Sequence, residues 1–270
     1  MRALIVSVLA VGCAMAQDEN PDRLTVNFSD PSKPRLLKVD VLQGSITVRG
    51  YNGKEAVIEA RNRGSRRTPP TPPAAGGLRR ITPSGSGLEV EEANNVIKVE
   101  TGHMRTVDLV IQVPYETSVK LESTNAGNIE VEGVTGEIDV ENTNGNVTVR
   151  NVSGAVVAHA LNGRVVVVMD KVTGTKPMSF SSLNGDIDVT LPPDVKARVK
   201  MKTDNGDIYT DFDVTLAPND RKPVVDETAG KRGRYRVRFD RAVYGTINGG
   251  GTEMQFTTLN GRIYIRKKGQ

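Results

Sequence analysis

The sequence predicts an all-β fold, a single-stranded β-helix or β-solenoid-like repeat with rungs of about 18–22 residues. Three observations predict it. A Gly-x-(Ile/Val)-x-aliphatic unit starts at Gly127, Gly136, Gly145, Gly154 and Gly163, nine residues apart each time, with looser copies at Gly44, Gly185, Gly206 and Gly261. The glycines also alternate between two corner types. One is Asn-Gly, at Asn144-Gly145, Asn162-Gly163, Asn184-Gly185 and Asn205-Gly206, successive copies lying 18, 22 and 21 residues apart. The other is Val-(Thr/Ser)-Gly, ending at Gly136, Gly154 and Gly174, with Leu191-Pro192-Pro193-Asp194 in the next slot. Finally, the mature chain carries no apolar i, i+3, i+4, i+7 pattern of an amphipathic helix. Periodicity alone leaves an antiparallel β meander or sandwich open. Val-(Thr/Ser)-Gly is a poor two-residue hairpin signal, and a core of Val and Ile suits stacked rungs. Both corner types are expected to be bends in which Gly and Asn accept positive φ.

Residues 1–16 read as a secretory signal peptide. Arg2 precedes the apolar run "ALIVSVLAVG", and Ala14-Met15-Ala16 forms a small-x-small cleavage site. Ala10-Val11-Gly12-Cys13 offers the alternative of a lipobox, with Cys13 as lipid anchor. Cys13 is the only cysteine, so cleavage after Ala16 leaves no disulfide, catalytic thiol or Cys-based metal site. Residues 17–119 are expected to form an N-terminal β segment, with strands at 36–41, 45–48, 57–60, 88–90, 96–99 and 107–113, the last closed by Pro114. Residues 61–87 interrupt it with six arginines, no acid and four prolines in the first half, the composition of a mobile loop. That loop is a candidate contact for anionic polymers. Residues 120–270 form the repeat region, with an insertion at about 213–250, the whole expected to be one continuous solenoid. In the repeats, period-two alternation places Ile129, Val131, Ile138, Val140, Ile187 and Val189 inside and Glu130, Asp139, Thr148 and Asp188 outside. In the insertion, "RYRVRF" at 234–239 presents an arginine row, read as edge protection or polyanion contact.

The runs "VDLVIQVPYETSVKLESTNAGNIEVEGVTGEIDVENTNGNVTV" and "FSSLNGDIDVTLPPDVKARVKMKTDNGDIYTDF" resemble the DUF4097 family of bacterial exported proteins, often labelled adhesins. The shared features are Val113-Pro114, the repeated glycines, Asn184 to Ile187, Pro192-Pro193 and Asn205 to Ile208. The resemblance spans roughly residues 36–268 and implies a β-helix-like fold outside the cytoplasm, with no established reaction.

The chemistry-bearing residues are few. Aromatics make up 4% of the chain and Trp is absent, which argues against a Trp-built sugar platform. His103 and His159 lack metal-ligand spacing, and no Gly-x-Ser-x-Gly elbow occurs, so neither a metal nor a cofactor is expected. Asp186, Asp188, Asp207 and Asp211 are the catalytic candidates. They would converge if residues 185–212 formed successive rungs, as paired carboxylates in glycoside hydrolysis require. The alternative is that they solvate the outer face. The function expected is a non-catalytic exported module of the cell envelope, adhesin-like binding or scaffold in kind, periplasmic, secreted or on the surface. Its partner would be a polysaccharide or protein, with no nucleic acid and no transmembrane segment. The alternatives are a carbohydrate-active β-helix enzyme (polysaccharide lyase or hydrolase) and an envelope-stress regulatory module.

Overall fold

Alternating Val and Ile residues give each strand one apolar face, and two such faces close over a common core. The computed structural model describes residues 21–63, 87–102, 106–125, 127–217, 224–225, 237–238 and 242–269. The signal-peptide reading, Cys13, His103, most of the 61–87 loop and most of the arginine row lie outside them. In chain order the strands are β1 (Asp22–Asn27), β2 (Leu36–Gln43), β3 (Ile46–Tyr51), β4 (Glu55–Asn62), β5 (Leu88–Ala93), β6 (Val96–Thr101), β7 (Val107–Pro114) and β8 (Ser118–Asn125). The repeat region continues with β9 (Ile129–Glu132), β10 (Ile138–Asn144), β11 (Val147–Ser153), β12 (Val156–Asn162), β13 (Val165–Lys171), β14 (Met178–Asn184), β15 (Ile187–Leu191), β16 (Ala197–Asn205) and β17 (Ile208–Thr210). Last come β18 (Val214–Leu216), β19 (Val224–Val225), β20 (Val237–Arg238), β21 (Val243–Ile247), β22 (Thr252–Asn260) and β23 (Ile263–Lys267).

Sheet A has ten strands in the order β1-β4-β7-β3-β9-β11-β13-β15-β23-β17, and sheet B has eleven, β18-β21-β16-β22-β14-β12-β10-β8-β2-β6-β5. Each rung gives one strand to each sheet, and the rungs pair in parallel, the signature of a solenoid rather than a meander. Stacking order departs from chain order at both ends. Rung β22/β23 is inserted between β14/β15 and β16/β17, and rung β2/β3 between β6/β7 and β8/β9. Antiparallel strands flank the stack: β4 and β1 beyond β7, β5 beyond β6, and β21 and β18 beyond β16.

Between the sheets lies an aliphatic core in which Ile129, Val131, Val147, Val149, Val165, Val167, Ile187, Val189, Ile263 and Ile265 are all fully or almost fully buried. Phe180 and Phe256 stack inside it on neighbouring rungs, ring centroids 5.1 Å apart. The Asn-Gly corners correct the expectation of positive φ. Neither the corner asparagines nor Gly127, Gly145, Gly163, Gly185, Gly206 and Gly261 adopt it, whereas Gly44, Gly154 and Gly174 do. The Asn-Gly glycines are required instead by close approach. A Cβ on Gly145 would lie 1.9 Å from the carbonyl oxygen of Gly127, and one on Gly163 would lie 2.0 Å from that of Gly145.

The asparagines form a ladder. Each Nδ2 donates to the preceding Oδ1: Asn144 to Asn125 (2.9 Å), Asn162 to Asn144 (3.0 Å), Asn184 to Asn162 (2.8 Å), Asn260 to Asn184 (2.7 Å) and Asn205 to Asn260 (2.8 Å). A second ladder runs just inside it. Ser123, Asn142, Ser182, Thr258 and Thr203 each donate to the corner-glycine carbonyl of a neighbouring rung, which satisfies polar groups facing the core. Ala160 occupies the equivalent position on β12 and has no donor.

Candidate functional site

The four aspartates predicted as candidates all lie along the C-terminal end of sheet A, but residues 185–212 are not neighbouring rungs. Strand β23 separates β15 from β17, so Asp186 and Asp207 stand two strand steps apart, about 9.5 Å along the stack. Each carboxylate is engaged. Asp186 accepts the Arg262 backbone N–H at 2.8 Å and lies 3.5 Å from the Arg164 guanidinium. Asp188 takes both arms of Arg266, at 2.8 and 3.3 Å. Asp207 accepts the Tyr209 hydroxyl at 3.3 Å, and Asp211 accepts the Lys267 N–H at 3.4 Å.

The inserted rung brings an aromatic pair among them. Asp188, Tyr264 and Tyr209 are in register across β15, β23 and β17. The two tyrosine rings stack with centroids 5.3 Å apart and planes 13° from parallel, and the Arg266 guanidinium lies 5.0 Å from the Tyr264 centroid. Tyr209 is 49% exposed on the last strand of sheet A. The Asp207 charge raises the Tyr209 hydroxyl above its ordinary value, and the bond to Asp188 does the same for Arg266. Sequence reading missed this pair. Its signal was an identical offset: both tyrosines stand three residues after a corner glycine, Gly206 and Gly261.

Sheet B carries different features. His159 Nδ1 lies 2.7 Å from Ser181 Oγ on the outer face, and His159 is also in register with Glu141. Toward the N-terminal end, Glu89, Glu100, Asp40, Glu122 and Glu141 form one outward row across five strands. Lysines beside the row offset its repulsion: Lys98 pairs with Glu100, and Lys120 with Glu122 at 3.2 Å and Asp139 at 3.8 Å. Bonds to Glu100 and Glu122 respectively raise the pKa of Lys98 and Lys120. Among the described residues, no group of His, Cys, Asp or Glu is arranged to hold a metal ion.

Two adjoining grooves mark the C-terminal end of sheet B. One, of about 940 Å³, lies over the corner formed by 171–177, 192–196 and 249–252; the other, of about 600 Å³, crosses the outer face from Val157 to Tyr244. None of the four candidate aspartates lines either groove.

The sequence matches the Toastrack DUF4097 family over residues 88–239, more than half of the chain. The chain belongs to that family. The Toastrack match covers the rungs from β5 to β17 and the segment beyond them. Among solved structures, a candidate cell adhesion protein from Clostridium sporogenes aligns at 11% identity and a TM-score of 0.45, covering 92% of this chain and 100% of its own. A candidate adhesin from Bacteroides fragilis aligns at 9% identity and a TM-score of 0.32, covering 92% and 97%. No curated protein matches this Toastrack chain in sequence. No helix among its described residues is long and apolar enough to cross a membrane.

Proposed function

We propose that the chain is an exported, non-catalytic binding or scaffold module of the cell envelope, and that the C-terminal end of sheet A contacts polysaccharide. The observation that carries this reading is the Tyr209–Tyr264 stack set among Asp188, Asp207 and Arg266. Exposed aromatic rings offer apolar area with little side-chain entropy to lose, and the flanking charges supply hydrogen bonds to sugar hydroxyls. The parallel rungs hold these groups rigidly, so binding orders little. Export is supported by the signal-peptide pattern of residues 1–16.

The test is calorimetry of the mature chain against a panel of neutral envelope polysaccharides, with the Tyr209→Ala/Tyr264→Ala double variant as control. Binding that the double variant loses supports the proposal. Binding that survives it removes sheet A as the contact surface. Reducing ends released during incubation would favour the carbohydrate-active enzyme, and their loss in Asp188→Asn or Asp207→Asn would name its carboxylates. The mass of the mature N-terminus separates cleavage after Ala16 from lipidation at Cys13.

A further inference from the structure

The grooves of sheet B form a second site, independent of the tyrosine pair. Val157, Ser179, Gln255, Lys200 and Tyr244 are in register on β12, β14, β22, β16 and β21, and they line the 600 Å³ groove. Four strand steps separate the first from the last, about 19 Å, long enough for an extended chain running across the strands. The half-exposed ring of Tyr244 makes one wall, with the Lys200 ammonium 5.9 Å from its centroid, and Val157 makes the other. The groove continues into the corner groove through Pro177, Arg198, Thr246 and Glu253, which line both.

Charge in this trough is unbalanced. Both Asp170 and Glu253 are neutralised, the first by Lys268 at 2.6 Å and the second by Arg198 at 3.1 Å. Among the described lining residues, that leaves Lys171, Lys196 and Lys200 facing the single carboxylate of Asp194. Among the described residues, neither Lys171 nor Lys196 has a carboxylate within ion-pair distance. The trough also offers no backbone edge along its floor, because β14, β22 and β16 are paired on both sides. A peptide therefore has no strand to extend there. What the floor does offer is hydroxyl, amide and ammonium groups beneath an aromatic wall.

We infer that this trough binds an acidic polysaccharide, a chain of sugar rings bearing carboxylates. The lysines neutralise the carboxylates, the floor hydrogen-bonds the hydroxyls, and Tyr244 packs on a ring face. The lysines are exposed, so the attraction is screened by salt.

The probe is tetragalacturonate, compared with neutral galactotetraose, by calorimetry on the mature chain. The expected result is tighter binding of the acidic tetramer, weakened by added salt and about tenfold or more by Lys196→Glu/Lys200→Glu. Tyr244→Ala weakens both tetramers. Variants Arg66→Ser/Arg67→Ser/Arg79→Ser/Arg80→Ser and Tyr209→Ala/Tyr264→Ala retain the affinity. Circular dichroism verifies the fold of each variant. Equal affinity for the two tetramers, or full affinity in Lys196→Glu/Lys200→Glu, overturns the inference. So does loss of binding in the arginine variant, which would reassign it to the 61–87 loop. Because the sheet A proposal is read with neutral polysaccharides and the tyrosine variant, either site can fail without the other.

Discussion

Gly145→Ala tests whether the Asn-Gly glycines answer to stacking rather than to backbone dihedrals. The new Cβ would lie 1.9 Å from the Gly127 carbonyl oxygen and 2.8 Å from Asn142 Nδ2. Relief requires the two rungs to part by about 1.5 Å at the corner, against a strand spacing of about 4.8 Å. Stretched that far, a hydrogen bond no longer holds. Four bonds cross this corner: Ile129 N–H to Asn146 O (2.9 Å), Asn146 N–H to Asn128 Oδ1 (2.9 Å), Asn142 Nδ2 to Gly127 O (3.1 Å) and Asn144 Nδ2 to Asn125 Oδ1 (2.9 Å). At about 1 kcal/mol each, losing three or four costs about 3–4 kcal/mol. For a chain of this size that lowers Tm by about 6–16 °C. The control is Gly102→Ala, whose nearest neighbour among the described residues would be Gly87 O at 3.6 Å, with an expected cost within about 0.5 kcal/mol. Scanning calorimetry of both variants reads the difference. A Gly145→Ala melt within about 2 °C of wild type would refute the stacking argument.

Other outcomes follow from the same geometry. Asn162→Ala removes one ladder bond on each side and is expected to cost about 1–2 kcal/mol, read as a lower urea midpoint. Ala160→Ser places a donor where five other rungs carry one, beside the Gly145 carbonyl, and is expected to raise the urea midpoint by about 0.5–1 kcal/mol of stability. Burial works to raise the Asp108 pKa, but bonds from Ser45 and Arg63 outweigh it and hold the carboxylate below its ordinary value. Its contribution to stability is therefore complete above the unfolded value of 3.8 and lost as pH falls through the lower folded value. Asp108→Asn should flatten that acid limb when unfolding is titrated from about pH 6 to pH 2. Lys120→Met leaves the row of Glu122, Asp40 and Glu141 less compensated, so its destabilisation should be larger at about 0.01 M than at 1 M salt.

Much of the architecture was legible because stacking imposes a period on the chain. Alternation at Ile187 and Val189 gave the buried face, and the spacing of Asn144, Asn162, Asn184 and Asn205 gave the corner series. The physical role of those corners was not legible. Gly and Asn are the residues that accept positive φ, so dihedral freedom explained them equally well from the sequence. Only the approach of Gly127 O to Gly145, and the donation from Asn162 to Asn144, shows that packing and amide pairing decide. At Gly154 and Gly174 the dihedral explanation does hold, with φ of +121° and +84°.

The candidate sites were hidden for a different reason, the insertion of the last rung. A repeat counted along the chain makes β15 and β17 neighbours and leaves β23 as a remote final copy. Folding reverses that order. Tyr264 meets Tyr209 although 55 residues separate them, and Arg266 reaches Asp188 across 78. The same insertion carries Gln255 between Ser179 and Lys200 on sheet B and completes the row beneath the trough. Both proposed sites therefore depend on one event, the entry of residues 252–267 between rungs that are already consecutive in sequence. Those residues follow Asn248, Gly249 and Gly250, all at positive φ, a turn that lets the chain double back from β21 into the stack. Binding capacity at both faces should thus appear together and late in refolding. Time-resolved refolding, read by quenching at the Tyr209–Tyr264 pair and by tetragalacturonate capture, should show the two signals rising at one rate, after most β-sheet signal has formed. Two separate rates would show that the faces form independently of the inserted rung.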